Sequence, residues 1–251
     1  RSGIVAPFAD LQQRLNRKKI DPAIMAAFPA CVRLYDLLFD GDMDCRALPL
    51  DTRRARLEAF IERNKPVRID LSPQLPFAEL EELTTLRDGA LAAAIEGLML
   101  NHGDSPYVAG RVKGFWWKWK RAPQTIDAVL LYAQRGHGKR SSYYSDYTFG
   151  LWRPDGEGGE ELVPVGKAYS GYTDAELAWI DRWIREHTIA RFGPVREVDK
   201  ALVLEIAFDS AQRSNRHKSG VALRFPRIAR LRRDKPAIEA DRLEMLLRWI
   251  T

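Results

Sequence analysis

The segment Trp116-Trp117-Lys118-Trp119-Lys120 constrains the fold more than any other stretch of this 251-residue chain. In a β-strand, alternate side chains point to opposite faces, so Lys118 and Lys120 share one face. Trp117 and Trp119 point the other way, where we expect a hydrophobic core that fixes the strand. Two braced ammonium groups on one face are suited to holding a phosphate or another polyanion. The alternative is a buried tryptophan-rich strand with a solvated edge.

Composition excludes several classes of protein. A hydrophobic fraction of 45% is typical of a globular chain with a core, and the formal net charge of +6 favours acidic partners. No window of about 18 apolar residues occurs and the first residues form no apolar segment, so we expect neither a membrane span nor a signal peptide. The two cysteines form no C-x-x-C pattern, which argues against a zinc site. These features predict a soluble, cytoplasmic protein.

A second basic segment lies near the end of the chain. Between Arg224 and Lys235 the sequence has six basic residues and the single acid Asp234. Such a segment concentrates positive potential in one place, as binding to nucleic-acid or nucleotide phosphates requires.

Together, the two basic segments resemble motifs V and VI of the ATP-dependent DNA ligases, members of the covalent nucleotidyltransferase superfamily. Two further segments agree in the family's order: residues 32–38 (V-R-L-Y-D-L-L) resemble motif IIIa, and residues 96–100 (E-G-L-M-L) resemble motif IV. The resemblance extends over nearly the whole chain. Residues 127–150 and 212–220 are similar to the bacterial branch of the family.

The order of predicted elements indicates an α+β fold with two domains. Residues 1–122 are expected to be a partial adenylation (nucleotidyltransferase) domain. Pro123 interrupts strand pairing, so the junction at residues 121–124 is the predicted boundary and, by the resemblance, a hinge. Residues 123–251 are expected to be an OB-fold domain, a five-stranded barrel with a C-terminal helix. Its predicted strands and helices are 125–135, 146–153, 161–168, the helix 173–188, 201–208, 221–231 and the helix 237–249.

The resemblance assigns roles around the first basic segment. It implies a reaction that passes through lysyl-AMP and DNA-adenylate intermediates before a nick is sealed. Lys118 and Lys120 would be the catalytic cations that hold the α-phosphate of ATP. Glu96 would bind Mg²⁺ or Mn²⁺, directly or through water, and Tyr35 would stack on adenine. The alternatives are a surface or capping carboxylate for Glu96 and a core position for Tyr35.

The resemblance also assigns roles in the second half of the chain. Arg230, Arg232 and Lys235, from motif VI, are implied to contact the β- and γ-phosphates of ATP, a task that suits the arginine fork. Further basic residues are candidates for contact with the DNA backbone, although each is also explained as a solvated charge: Arg17, Lys18, Lys139, Arg140, Arg216 and Lys218.

Several family features are missing. The nucleophilic lysine of the family lies in a K-x-D-G motif, and residues 38–41 and 86–89 match it except for the lysine. Motif III is absent as well. We therefore expect the chain to be the C-terminal part of a longer ligase, unable to form lysyl-AMP alone. Asn101 and Ala122 also replace residues that are usually charged in the family.

The leading hypothesis is an ATP-dependent DNA ligase that acts as a monomer on nicked double-stranded DNA and is associated with the nucleoid. An RNA ligase or an mRNA-capping nucleotidyltransferase is the alternative from the same superfamily. A non-catalytic OB-fold DNA-binding module is the alternative from a different functional class, in which the lysines serve only as a basic surface.

Overall fold

The structure, a computed structural model, describes residues 5–6, 8–89, 95–136, 138 and 141–250. It divides into two compact units, Arg1–Arg121 and Ala122–Thr251. Both units combine helices with sheets, so the class predicted from the sequence is confirmed at the level of a mixed α and β protein. Residues 121–123, between the last strand of one unit and the first strand of the other, belong to no helix or strand.

The described part of the first unit has four helices and six short strands. In chain order they are α1 (Phe8–Gln12), α2 (Pro22–Ala27), β1 (Val32–Leu34), β2 (Phe39–Asp40), β3 (Met43–Asp44), α3 (Leu50–Asn64), β4 (Ile69–Leu71), α4 (Leu80–Gly89), β5 (Gly97–Asn101) and β6 (Trp116–Lys120). The strands β1 and β4 pair in parallel, whereas β2 with β3 and β5 with β6 form antiparallel pairs.

The first unit contains a buried ion pair. Arg53 of α3 is fully buried, and its guanidinium makes two bonds to the Asp36 carboxylate, at 2.7 and 2.9 Å. The same guanidinium donates to the carbonyl oxygens of Leu48 and Ser105. The buried apolar residues of this helix are Leu50 and Leu57. Arg53 therefore connects α3 to three other segments of the unit.

The described part of the second unit has nine strands and two α-helices. They are β7 (Gln124–Arg135), β8 (Tyr144–Pro154), β9 (Glu160–Ala168), α5 (Asp174–Glu186), β10 (Thr188–Phe192), β11 (Val195–Val198), β12 (Val203–Phe208), β13 (Ser210–Arg213), β14 (Val221–Arg224), β15 (Arg227–Arg232) and α6 (Leu243–Leu247). A 3-10 turn, Ala237–Glu239, and α6 replace the continuous terminal helix that the sequence predicts.

The long strand β7 organises the second unit. The strand β8 pairs along one edge of β7, whereas β12 and β11 share the other edge, β12 along its first half and β11 along its second. The strands β10, β15 and β9 extend this sheet from β11, β12 and β8. Among the described residues no pairing joins β9 to β15. The sheet is therefore seven-stranded, branched and open, and the predicted five-stranded barrel is not confirmed.

Two local features explain the difference from the predicted strands. The predicted strand 221–231 is two strands, because Phe225 has φ 51° and Pro226 has no N–H to donate to the ladder. β14 pairs with β13, while β15 pairs with β12. The sequence prediction also missed the hairpin of β10 and β11, whose turn uses Gly193 at φ 56°.

The core of the second unit lies between the sheet and α5. Alternate residues of β7, Ile126, Ala128 and Leu130, face this core, as the period of two in a strand requires. The predicted helix is confirmed, and it begins with a capping box in which Thr173 and Glu176 bond each other's backbone N–H groups. No described helix has the length and the apolar composition that crossing a bilayer requires.

Candidate functional site

The strand β6 presents a cationic face, as the sequence predicts. Its alternation places Lys118 and Lys120 on the same face, and both side chains are exposed. The predicted core behind the strand is only partly present: Trp119 is half-buried under Arg87, whose guanidinium carbon lies 4.7 Å from the ring centre. Trp117 is 48% exposed, so the prediction that it faces a core was wrong.

Glu96 and Lys120 are brought together across the β5–β6 pair. The Glu96 Oε2 and Lys120 Nζ atoms lie 2.7 Å apart, and about half of each side chain is exposed. Gly97 makes this approach possible, because a Cβ atom at this position would lie 2.4 Å from the Trp119 carbonyl oxygen. By contrast, Lys118 makes no ion pair with any described residue. One ammonium group is therefore held beside a carboxylate while the other is available to an anion.

Tyr35 lies at the same face of β6. Its ring meets Trp116 edge-on, with ring centres 6.0 Å apart, and Trp116 shares the strand face of Lys118 and Lys120. The two rings line a cavity of about 190 Å³. Tyr35 is 61% exposed, which excludes the core position that was its alternative. Tyr35 and Trp116 thus form an aromatic slot, and the two cations Lys118 and Lys120 follow it along the same face of β6.

The structure places two of the motif VI cations around one carboxylate of the second unit. Arg232 and Lys235 contact the same oxygen, Oδ2 of Asp127, at 2.7 and 2.8 Å. Arg232 also pairs with Asp234, and this guanidinium lowers the pKa of the Asp234 carboxyl. Arg230 lies two residues earlier on β15 with its side chain exposed. The sequence did not single out Asp127 as a partner of these residues.

Asp127 is expected to stabilise the second unit by holding the two cations. Replacing Asp127 with asparagine should lower the free energy of unfolding by about 1–3 kcal/mol, since two half-buried cations lose their shared anion. Urea unfolding of the chain measures this. Asp234→Asn is the control: it removes the exposed partner of the same arginine, and we expect almost no change. Equal effects of both variants would contradict the role of Asp127.

Two family models match the chain, over the units that carry these residues. The model described as "ATP dependent DNA ligase domain" matches residues 2–120, and "ATP dependent DNA ligase C terminal region" matches residues 140–235. A probable DNA ligase of Koribacter versatilis is 39% identical over an alignment of 265 residues, and the alignment covers 97% of this chain and 45% of the relative. The probable DNA ligase of Opitutus terrae is 40% identical, with 97% of this chain and 26% of the relative covered.

This chain belongs to the ATP-dependent DNA ligase family. It spans less than half the length of these two relatives. Solved structures share its fold: the protein "Pmar-Lig_PreS3" gives a TM-score of 0.66 at 17% identity, with 91% of this chain and 49% of that chain covered. A Lig E DNA ligase gives a TM-score of 0.54 at 19% identity, with 79% and 62% covered.

The family implies a divalent metal, and one carboxylate of the site fits it. Among the described residues no group of three or more histidine, cysteine, aspartate or glutamate side chains could hold a metal ion. Mg²⁺ is commonly held by one or two carboxylates together with water and substrate phosphates. Glu96, exposed beside Lys120, suits that mode of binding.

The other basic residues that were predicted to contact the DNA backbone have less structural support than Lys118 and Lys120. Arg17, Lys18, Arg216 and Lys218 have exposed side chains, as the solvated alternative also predicts. Lys139 and Arg140 lie outside the described residues.

Sequence reasoning missed Arg53, Asp36 and Asp127 as organising residues. For Asp127 a signal existed, because a lone acid inside the apolar run of β7 is costly unless it is paired.

Proposed function

We propose that this chain is part of an ATP-dependent DNA ligase that seals nicks in double-stranded DNA. The observation that carries the proposal is the shared face of β6, where an aromatic slot, two lysines and the carboxylate of Glu96 adjoin. An aromatic slot suits a nucleobase, a pair of lysines suits a phosphate, and a carboxylate suits a hydrated metal ion. ATP and Mg²⁺ are the proposed cofactors, with Mn²⁺ as an alternative metal.

The proposed reaction has three phosphoryl-transfer steps. A lysine of a K-x-D-G motif attacks the α-phosphate of ATP and pyrophosphate leaves; the 5′-phosphate at the nick then takes AMP from the lysine; finally the 3′-hydroxyl attacks that phosphate and AMP leaves. Negative charge develops on phosphate oxygens in each step, so nearby cations accelerate all three. Lys118 and Lys120 supply that charge at the α-phosphate. Glu96 would hold Mg²⁺, which would supply further neutralisation of the charge on the phosphate oxygens.

Tyr35 is proposed to stack on adenine against the wall formed by Trp116. Arg230, Arg232 and Lys235 are proposed to orient the leaving pyrophosphate. Because Asp127 holds two of these three cations, a phosphate must compete with this carboxylate or bind beside it.

We propose that residues 121–124 act as a hinge and that the second unit, as a variant of the OB fold, also binds DNA. A monomer in the cytoplasm, associated with the nucleoid, fits a DNA substrate.

Covalent labelling tests this function. The sequence has no K-x-D-G lysine, so the assay uses a longer protein in which this chain follows a segment that carries one. With Mg²⁺ and ATP labelled at the α-phosphate we expect a protein–AMP adduct, which nicked DNA discharges as the strand is sealed. The 251-residue chain alone is expected to give no adduct.

Substrate variation separates the alternatives. Labelling by GTP instead of ATP would indicate a capping nucleotidyltransferase, and sealing of nicked RNA but not DNA would indicate an RNA ligase. DNA binding without any adduct would favour the non-catalytic module.

A further inference from the structure

Four arginines and one tyrosine form a cluster in the second unit, far from the motif VI residues. The arginines line a cavity of about 310 Å³, together with Tyr144 and Thr188: Arg135, Arg185, Arg191 and Arg196. Tyr144 is only 4% exposed, and three of the guanidinium carbons lie 5.6 to 5.9 Å from its ring centre. The cluster begins eight residues beyond Asp127 on β7, which at about 3.3 Å per residue is roughly 26 Å along the strand.

The cluster carries positive charge that the protein itself does not neutralise. Asp181 binds Arg185 at 2.8 Å, but Arg135 and Arg191 make no ion pair within the described part of the chain. Arg196 donates to the backbone carbonyl oxygens of Gly193 and Val195 rather than to a carboxylate. At least two guanidinium groups therefore face the cavity without a counter-ion.

The β10–β11 hairpin also contains a destabilising contact between two like charges. Arg191 and Arg196 stand directly opposite each other in the β10–β11 hairpin. Like charges at opposed positions of antiparallel strands destabilise the pair. Tyr144 offsets part of this cost, because the face of an aromatic ring attracts guanidinium groups. An anion in the cavity would remove the remaining repulsion.

We propose that this arginine cavity binds a phosphate of the DNA backbone, as an anchor for the duplex separate from the motif VI residues. The inference rests on the proposed function, since it takes duplex DNA as the ligand. Arginine forks match phosphate oxygens in a bidentate geometry, and the tyrosine ring holds the guanidinium groups of Arg135, Arg185 and Arg196 in position before binding. Such a contact fixes the position of the protein on DNA without reading its sequence.

Salt-dependent DNA binding tests the anchor with the 251-residue chain. The dissociation constant for a fluorescent nicked duplex is measured over a series of NaCl concentrations for the wild type, R135Q/R191Q and R63Q/R248Q. The control variant removes the same charge from two exposed arginines outside the cavity. We expect R135Q/R191Q to weaken binding about tenfold and to reduce the slope of log K against log salt by about 1, as loss of one phosphate contact requires. We expect less than about a twofold change in the control.

Two further measurements keep the result interpretable. The melting temperature of R135Q/R191Q without DNA should equal or exceed that of the wild type, because a like-charge contact is lost. R135K/R191K keeps the charge without the fork, so its affinity should lie between those of the wild type and R135Q/R191Q.

The outcomes separate this inference from the proposed function. Unchanged affinity and slope in R135Q/R191Q, with tight binding by the wild type, would overturn the anchor and leave the ligase proposal standing. Failure of the wild-type chain to bind DNA, with adduct formation intact in the longer protein, would likewise overturn only the anchor. Inorganic phosphate or pyrophosphate that raises the melting temperature of the wild type alone, with DNA binding equal in all variants, would assign the cavity to free phosphate.

Discussion

Replacing Arg53 with methionine is expected to lower the free energy of unfolding by about 3–5 kcal/mol. Arg53 is fully buried, and the Asp36 side chain is 4% exposed. The substitution would leave the Asp36 carboxylate buried without its cation and remove the donor to the Leu48 and Ser105 carbonyl oxygens. Urea unfolding followed by circular dichroism measures the loss.

The same helix provides a matched control. Arg56 pairs with Asp40 at 3.2 Å, and the two side chains are 38% and 32% exposed. Arg56→Met should therefore cost only about 0–1 kcal/mol. A combined Asp36→Leu and Arg53→Met variant should recover part of the stability, because no buried charge is left unpaired. A loss at Arg53 no larger than that at Arg56 would show that the buried pair is not what holds this unit together.

The buried pair also has a consequence for the site. Asp36 directly follows Tyr35, and its carboxylate is fixed by two bonds from Arg53. The backbone that carries the tyrosine ring is therefore fixed by the buried Arg53 side chain. We infer that the aromatic slot owes its position to an ion pair in the core.

The second large effect is expected at Lys118. In the longer protein that carries a K-x-D-G lysine, Lys118→Ala should slow adduct formation by about 10²–10³-fold, as loss of one preorganised group that stabilises transition-state charge does. Lys120→Ala should have a similar effect and should also leave Glu96 without its 2.7 Å partner. The rate of protein–AMP labelling in a single turnover measures both.

Lys113→Ala is the control for this experiment. Lys113 is exposed in the loop that precedes β6, so its removal subtracts the same charge without touching the strand face. Its labelling rate should stay within about twofold of the wild-type rate, as expected for a solvated surface charge. Normal labelling by Lys118→Ala would remove the lysine from the proposed chemistry and favour the non-catalytic DNA-binding module.

Local patterns account for the parts of the fold that were predicted correctly. The alternation of tryptophan and lysine in β6, the long apolar β7 and the amphipathic α5 each depend on neighbours within a few residues. The strand break at Phe225 and Pro226 was missed because both flanking segments carry strand-like residues. The open sheet was missed because the edges on which strands pair depend on the whole unit.

The sequence by itself determined the family, through four motifs in order, and the shared face of Lys118 and Lys120, through the period of a strand. The tertiary structure alone decided which side chains the charged residues contact. Asp127 lies more than one hundred residues before Arg232 and Lys235, and the arginine cavity draws on β7, α5 and the β10–β11 hairpin. Ion pairs and cavities form between segments that are distant in sequence, and no local periodicity records which side chains will meet.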